Sequence, residues 1–327
     1  MKQKMLLFLV LILFFGLILS CRVTPHVRRI YEGPVHREDF NWNHYLPFSE
    51  GNRLAVLNRE ASLRIYENIP RLDGATALYP VFASFAQAVY PSTENFSWWQ
   101  HESLVRLSTT PRAFRNLING YVDIIFTAAP SQGQVAMAAE RGKTFNLTPI
   151  GRDAFVFFVN RNNVVNELTT EQIRGIYSGL ITNWAEVGGE NAEIIAFQRE
   201  RGSGSQTALE ALMEGVPIMN PPRERTLGGM NRIIYETASY TNLGNAIGFS
   251  FLFFTTEMVN NDEIKLLSID GILPTIETIQ SGEYPFSGIF YAITTGNETE
   301  NTIRFIEWIL SDEGQYLIEK TGYVPIR

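Results

Sequence analysis

The stretch from Arg199 to Thr207 constrains the fold most, because it joins a strand pattern to a helix pattern through glycine and serine. The apolar run 194–197 predicts a strand before it, and the run 208–213 predicts a helix after it. In this order, backbone N–H groups and the positive end of a helix dipole meet at one point, which favours an oxyanion. The stretch lacks the Gly-Lys-Ser/Thr of a nucleotide-binding P-loop. Gly/Ser loops also occur as plain linkers.

The first twenty residues are predicted to be a targeting segment. Two lysines precede an apolar run over 5–19, which is short for a transmembrane helix and fits the core of a signal peptide. Cys21 follows it and is the only cysteine of the chain. Residues 18–21, Ile-Leu-Ser-Cys, resemble the bacterial lipobox, so we predict a lipoprotein signal peptide over 1–20 and lipid attachment at Cys21. The protein would then be anchored to the extracytoplasmic face of a cell membrane, and the alternative is an uncleaved N-terminal anchor.

Charge and residue types argue against several classes of function. The formal net charge is −7, which predicts no nucleic-acid partner but leaves an anion ligand open, because a few local donors decide that. None of the four histidines sits with a cysteine or an acid at metal-ligand spacing, so no metal or cofactor is predicted. Gly-x-Ser-x-Gly is absent around Ser203 and Ser205, and no constellation of residues predicts an enzyme.

Alternating strand and helix patterns in the rest of the chain predict an α/β fold. The predicted elements are strands at 122–126, 154–159, 246–249 and 288–293, and helices over 78–89 and 302–310. A capping-box pattern at Thr169 predicts a further helix start.

Three helix starts carry hydroxyl groups. The first follows residues 73–76, Asp-Gly-Ala-Thr. In the second, Pro111 suits the first helical position and predicts Thr110 as the N-cap. The third carries Ser203, Ser205 and Thr207, and residues 207–210 form a capping-box pattern. Ordinary capping explains each start alone, whereas convergence of all three in space would indicate a binding site.

From about residue 73 to residue 327 the chain resembles the phosphate-binding, substrate-capture proteins of bacterial phosphate ABC transporters. The matching blocks, in the order of the family, are 73–76, 176–184, 199–207, 245–249, 281–286 and 305–327. The resemblance implies a two-lobed periplasmic-binding-protein-like fold of type II, in which each lobe is a sheet flanked by helices. It also implies a ligand cleft between the lobes, an oxyanion ligand, an ABC permease partner and a monomer.

The implied organisation has four parts. Residues 1–20 are the signal peptide, and residues 21–65 are a lipid-anchored tether and N-terminal extension. Residues 66–154 and 286–327 form lobe 1, and residues 155–285 form lobe 2. The chain is expected to cross between the lobes near 153–159 and near 286–293.

Carried over position by position, the oxyanion contacts of the family fall on three loops. They are Thr76 and Ala77, then Thr109 or Thr110, then Arg199, Ser203, Gly204 and Ser205. Arg199 would make charge-assisted hydrogen bonds to the anion. The family usually has an aspartate where this chain has Ala128, and that acid accepts the phosphate proton and repels sulfate. Asp73, Asp153 or Glu200 would be a substitute acceptor.

Two alternatives remain open at this point. Trp98 and Trp99, beside Phe96, are typical of a surface that recognises a protein or carbohydrate, although packing in the body is the favoured interpretation. The other alternative is a receptor for a different oxyanion, such as sulfate. Exposure of both tryptophans, with Thr76, Arg199 and Ser203 far apart, would favour the first. A cleft lined by those three residues would favour transport.

Overall fold

The computed structural model describes residues 41–100, 102–239, 244–296 and 298–326. The chain divides into one unit over residues 1–41 and a second over residues 42–327, to which every element below belongs. The predicted signal peptide, Cys21 and His101 lie outside the described residues. Within the described ranges, no helix combines the length and apolar character that a membrane crossing requires.

The strands and helices alternate along the chain, as the α/β prediction requires. The strands are β1 (Leu72–Gly74), β2 (Ile124–Ala128), β3 (Asn146–Asn160), β4 (Glu167–Leu168), β5 (Ile195–Ala196), β6 (Gln198–Arg199), β7 (Thr226–Leu227), β8 (Ala246–Phe251), β9 (Ile264–Leu266), β10 (Ser268–Ile269), β11 (Ser287–Thr294) and β12 (Val324–Pro325). The α-helices are α1 (Tyr79–Val89), α2 (Thr110–Ile118), α3 (Gln132–Glu140), α4 (Thr170–Ser178), α5 (Gly204–Leu212), α6 (Met230–Ala238), α7 (Ile276–Ser281), α8 (Glu300–Ile309) and α9 (Asp312–Thr321). A π-helix covers Phe254–Val259.

The main sheet of the described chain has the strand order β1-β2-β11-β3-β8-β5, and β9 and β12 also pair with β3. The outer pairs β1–β2 and β5–β8 are parallel, whereas every pair that includes β3 or β11 is antiparallel. Mixed pairing of this kind, with helices between the strands, is an α/β architecture. The predicted α/β class is therefore confirmed.

The strand β3 is shared by the two halves of this sheet. Its residues 146–154 pair with β11, whereas its residues 155–159 pair with β8. The change of partner between Ala154 and Phe155 coincides with the predicted boundary of lobes 1 and 2. We propose this point as the boundary, and the four-part division itself stays a prediction.

Aromatic packing holds β1, β2 and α1 together. The Phe82 ring stacks on the Phe126 ring at a centroid distance of 5.1 Å and an angle of 13°. A Cβ on Gly74 would lie only 2.5 Å from the Phe126 carbonyl oxygen, so only glycine permits this approach of the first loop to β2.

Two of the predicted helix caps are wrong, and one is confirmed. The N-cap of α2 is Thr109 rather than Thr110, with a φ of 69° and no side-chain capping bond. The helix α5 begins at Gly204 with Ser203 as N-cap, so Thr207 lies inside the helix and forms no capping box. The chain enters α5 through Gly202 at a φ of 77°, which starts the helix earlier than the apolar pattern indicates. The capping box at Thr169 is present.

The N-terminal extension is fastened to α9 through one carboxylate. Glu313 accepts hydrogen bonds from the backbone N–H of Ser62 at 2.8 Å, from its hydroxyl at 2.7 Å and from the Trp308 indole at 2.8 Å. Arg59 adds an ion pair at 3.2 Å. These bonds join segments that are far apart in sequence, since Ser62 and Glu313 are separated by 251 positions.

We expect Glu313→Ala to lower the free energy of unfolding by about 1–3 kcal/mol, because the buried Trp308 N–H loses its acceptor. Urea unfolding of the full-length chain measures the change. The matched control is Glu319→Ala on the same helix, where the side chain is 60% exposed and should contribute little. Equal stability of the two variants would contradict the anchoring role of Glu313.

Candidate functional site

A cleft of about 340 Å³ opens where β3 changes partner. Both halves of the sheet line it, with Asp153 and Phe155 on either side of the change. Much of its wall is apolar, made of alanine, leucine and phenylalanine side chains. Among the lining residues in the described chain, Asp153 is the one that carries a carboxylate. The cleft therefore combines an apolar wall with few polar groups, as small-molecule sites commonly do.

The first two predicted loops are tied together by a buried carboxylate. Asp73 accepts hydrogen bonds from the backbone N–H groups of Gly74 at 2.8 Å and Ser108 at 2.9 Å, and from the Asn116 amide at 2.7 Å. Burial raises the pKa of Asp73, and these hydrogen bonds oppose that effect. Because its oxygens already serve the loops, Asp73 has a structural role.

Of the four predicted contacts in the first two loops, two line the cleft. Ala77 and Thr110 line it, whereas Thr76 lies beside Ala77 in a short 3₁₀ helix, Thr76–Leu78. Thr109 is exposed and has a left-handed φ of 69°, which is rare for threonine and stores strain next to the cleft. The sequence leaves both Thr109 and Thr110 open as the contact in the second loop. The structure shows that Thr110 is the one that lines the cleft.

The third loop holds a buried cation. Arg199, at the end of β6, is 9% exposed, and its Nε donates to the Leu227 carbonyl at 2.9 Å. Within the described residues it has no ion-pair partner. Burial lowers the pKa of Arg199 to about 10, so the guanidinium stays protonated at neutral pH. A buried positive charge without a carboxylate partner favours an anion nearby.

The third loop also meets the second loop and α3. Gly204 lines the cleft at the first position of α5, and a Cβ on it would lie 3.2 Å from the Thr110 hydroxyl. The Gln134 amide donates to the Gly202 carbonyl at 3.3 Å. Ser203 caps α5, and its hydroxyl accepts the Gln206 N–H at 3.3 Å, while Ser205 is buried.

Three of the predicted contact residues, Ala77, Thr110 and Gly204, thus line one cleft. The other predicted contacts are not among the lining residues of this cleft; they are Thr76, Thr109, Arg199, Ser203 and Ser205. Arg199, Ser203 and Ser205 are buried in the elements around Gly204, and Thr76 and Thr109 adjoin lining residues in sequence. The three helix starts, which lie far apart along the chain, are close together at this cleft. Their assignment as ligand contacts stays a prediction.

The sequence indicates three substitute acceptors, and the structure puts one of them in the cleft. Asp153 lines the cleft. The oxygens of Asp73 already accept hydrogen bonds from the first two loops. Glu200 lies beside Gly228, where an added Cβ would be 3.1 Å from the Glu200 Oε1. Burial raises the pKa of Asp153 to about 7, although the backbone N–H groups of Ala154, Phe253 and Leu252 lower it.

Sequence reasoning missed further polar residues that line the cleft. Thr207 lines it, and its hydroxyl is buried without a hydrogen-bond partner in the described structure. Ser287 and Tyr291, on β11, line it as well. The signal at Thr207 was its place four residues after Ser203, one turn along the same helix, but the sequence pattern was interpreted as a cap.

The two adjacent tryptophans do not form a joint surface. Trp98 contacts the Trp42 ring at 6.4 Å, and its indole N–H donates to Asn43 at 3.4 Å, whereas Trp99 is 67% exposed. One exposed tryptophan gives little support to a recognition surface. In the ranges that the structure describes, no group of three or more histidine, cysteine and acidic side chains is placed to hold a metal ion.

Comparison with known proteins gives related sequences. A phosphate-binding protein PstS of Bacillus subtilis is 26% identical over 170 residues, which cover 51% of this chain and 53% of that protein. The match thus spans about half the length of that relative. A phosphate-binding protein PstS of Borreliella burgdorferi is 26% identical over 217 residues, which cover 64% of this chain and 76% of that protein.

Solved structures show the same fold. A phosphate ABC transporter substrate-binding protein of Clostridium perfringens, solved with bound phosphate, is 25% identical and has a TM-score of 0.60. The similarity covers 79% of this chain and 99% of that one. An ABC-type phosphate transport receptor of Vibrio cholerae, at 21% identity, has a TM-score of 0.57 over 78% of this chain and 99% of that one.

The profile of the PBP superfamily domain matches residues 68–313, which is more than half of the chain and includes the described cleft. The predicted two-lobed architecture agrees with the solved structures. The chain belongs to the PBP superfamily-domain family and has its two-lobed, periplasmic-binding-protein-like α/β fold.

Proposed function

We propose that this protein captures inorganic phosphate for an ABC transporter. The observation that carries the proposal is the convergence of the three loops at one cleft. The third of these loops also holds the buried Arg199, which has no ion-pair partner among the described residues. The names of its relatives and the phosphate bound in the Clostridium perfringens structure support this ligand. The protein is a receptor rather than an enzyme in this proposal.

Phosphate oxygens would be held by donors from all three loops. The first turn of α5 offers backbone N–H groups and the positive end of the helix dipole, and Gly204 leaves room for a close approach. Arg199 would supply charge-assisted hydrogen bonds, and the hydroxyls of Thr76, Thr110, Ser203 and Ser205 would supply neutral ones. A small anion then gains several short contacts without a metal ion.

Capture would proceed by closure of the lobes. Thr110 and Gln134 belong to proposed lobe 1, whereas Gly202 and Gly204 belong to proposed lobe 2. The Gln134–Gly202 hydrogen bond and the approach of Gly204 to Thr110 therefore join the two proposed lobes. A ligand that contacts both sides stabilises the closed state by its differential affinity for that state.

The delivery role places the protein outside the cytoplasm. Residues 1–20 would be removed, a lipid on Cys21 would hold the chain at the membrane, and residues 22–65 would form the tether and extension. The partner would be the membrane permease, and one chain would be enough for binding, because the three loops belong to a single chain.

We expect Arg199→Ala to weaken phosphate binding by about 2–5 kcal/mol, because it removes the buried charge that the anion would contact. Isothermal titration of the full-length chain with inorganic phosphate measures the loss. The matched control is Arg201→Ala, two residues along the same loop, since Arg201 is exposed and should affect affinity little. Unchanged affinity in Arg199→Ala would place the phosphate site elsewhere.

We expect Cys21→Ser to move the protein from the membrane fraction to the soluble fraction, because a serine cannot carry the thioether-linked lipid. Fractionation of expressing cells, with mass spectrometry of the mature N-terminus, measures the change. If the variant stays with the membrane and the wild-type chain begins at Met1, the uncleaved anchor is correct instead.

A further inference from the structure

The cleft is larger than a phosphate ion requires. Its volume is about 340 Å³. A phosphate ion has five heavy atoms and takes up roughly 100 Å³, judged from the share of about 30 Å³ that one water molecule has in the liquid. The hydrogen bond from Gln134 to Gly202 joins the two proposed lobes, so the cleft has this volume while its two sides are in contact. More than half of the space is therefore left for another part of a ligand.

The lining changes from polar to apolar at the start of α5. Gly204 is the first residue of that helix, and an added Cβ would lie 3.2 Å from the Thr110 hydroxyl oxygen and 3.8 Å from the Phe251 ring. A phosphoryl group held by the first backbone N–H groups of α5 would therefore have an aromatic ring beside it. All three residues line the cleft.

One face of α5 borders the cleft from the first turn to the last. Its lining residues are Gly204, Thr207, Ala208, Ala211 and Leu212. Their spacing of three and four places them on the same side of the helix. From the first of these residues to the last, the helix rises about 12 Å. A phosphate ion at the first turn does not reach the later turns, so their apolar side chains remain free to contact an apolar group.

The sheet contributes apolar side chains to the same space. They are Phe155 on β3, Phe251 on β8, Phe286 just before β11, and Ile289 on β11. The Phe155 and Phe251 rings are in contact, with centroids 6.0 Å apart. Ile289 is 40% exposed, so apolar surface is accessible here. We call these four residues, together with Ala208 and Leu212, the apolar half of the cleft. A ligand that covers this surface removes it from water and gains affinity.

A buried hydroxyl without a partner lies at the junction of the two parts. The Thr207 hydroxyl oxygen has no hydrogen-bond partner in the described structure. Thr207 is three residues after Gly204 and immediately precedes Ala208. Buried hydroxyls are normally hydrogen-bonded, so this one indicates a polar ligand atom about one turn beyond the start of α5. The bridging oxygen of a phosphate ester is an acceptor of the right kind for it.

The carboxylate in the lining is already bonded by the backbone. Asp153 accepts the N–H of Ala154 at 2.8 Å, and the N–H groups of Leu252 and Phe253 bond to it as well. These bonds connect β3 to the residues after β8. Asp153 therefore has a structural role at the cleft and is not needed as a ligand contact.

We propose that the cleft binds a phosphate monoester with a short apolar substituent, in addition to inorganic phosphate. The phosphoryl group would lie at the start of α5, with the ester oxygen at the Thr207 hydroxyl. The substituent would extend along α5 and cover the apolar half. This inference rests on the proposed phosphate-capture function, because it uses the same three loops for the phosphoryl group.

The test compares ethyl phosphate, butyl phosphate and inorganic phosphate by isothermal titration of the full-length chain. The two esters share the phosphoryl group and differ by two methylene groups, which would contact only the apolar half. We expect butyl phosphate to bind about tenfold more tightly than ethyl phosphate, because each buried methylene raises the affinity about three- to fourfold. n-Butanol, which lacks the phosphoryl group, should not bind at concentrations of butyl phosphate that saturate the protein.

A pair of variants locates the gain. Ala208→Gln puts a larger and polar side chain into the apolar half, so the affinity ratio of the two esters should fall to about one. The matched control is Glu210→Gln, which introduces the same residue at an exposed position of α5 outside the lining and should keep the wild-type ratio. Because both esters are compared in one variant, a change in phosphoryl binding cancels from the ratio.

The outcomes separate this inference from the function on which it rests. If wild-type protein binds phosphate but binds butyl phosphate no better than ethyl phosphate, the inference is wrong and phosphate capture stands. A wild-type ratio in Ala208→Gln, or binding of n-butanol as tight as that of butyl phosphate, also overturns it. Absence of binding by phosphate and both esters overturns both proposals. Should Ala208→Gln fail to fold, the wild-type ratio of the two esters still decides.

Discussion

The main-chain ladder of β3 is the constraint on which the rest of the structure depends. One strand of 15 residues bonds to β11 along its first part and to β8 along its last part, so both halves share a continuous backbone. Where its partner changes, the flanking strands diverge and a cleft can form beside Asp153 and Phe155. In the proposed closure of the lobes, this point and the second crossing near residues 286–293 would absorb the movement, by small rotations of strands that remain hydrogen-bonded.

The loops around the cleft are positioned before a ligand arrives. Asp73 bonds to the first and second loops, and Gln134 bonds to the third, so little loop entropy is left to lose on binding. The chain as a whole has a net charge of −7, yet the cleft is lined by Gly204 at the N-terminus of α5, and the buried Arg199 precedes that helix in the same loop. In the proposed phosphate-capture role, local donors would determine the affinity for the anion, whereas the net charge determines solubility and long-range repulsion.

Predictions from the sequence succeeded where they used burial patterns and failed at two of the three helix caps. The apolar runs on both sides of residues 199–207 correspond to β5 and to the last part of α5, because burial of one face of an element requires apolar residues at that element's period. The cap assignments at Thr110 and Thr207 were wrong. A cap depends on the backbone angles of one residue, and the left-handed turns at Thr109 and Gly202 set those angles.

The sequence by itself determined the α/β alternation, the three hydroxyl-bearing loops and the alanine at position 128. These features follow from local periodicity and from residue chemistry, which neighbouring residues express without the rest of the chain. Only the tertiary structure decided that Thr110 rather than Thr109 lines the cleft, and that Asp153 faces the same space as Ala128. That relation depends on the register of β2, β11 and β3, and register is set by packing between segments that are distant in sequence.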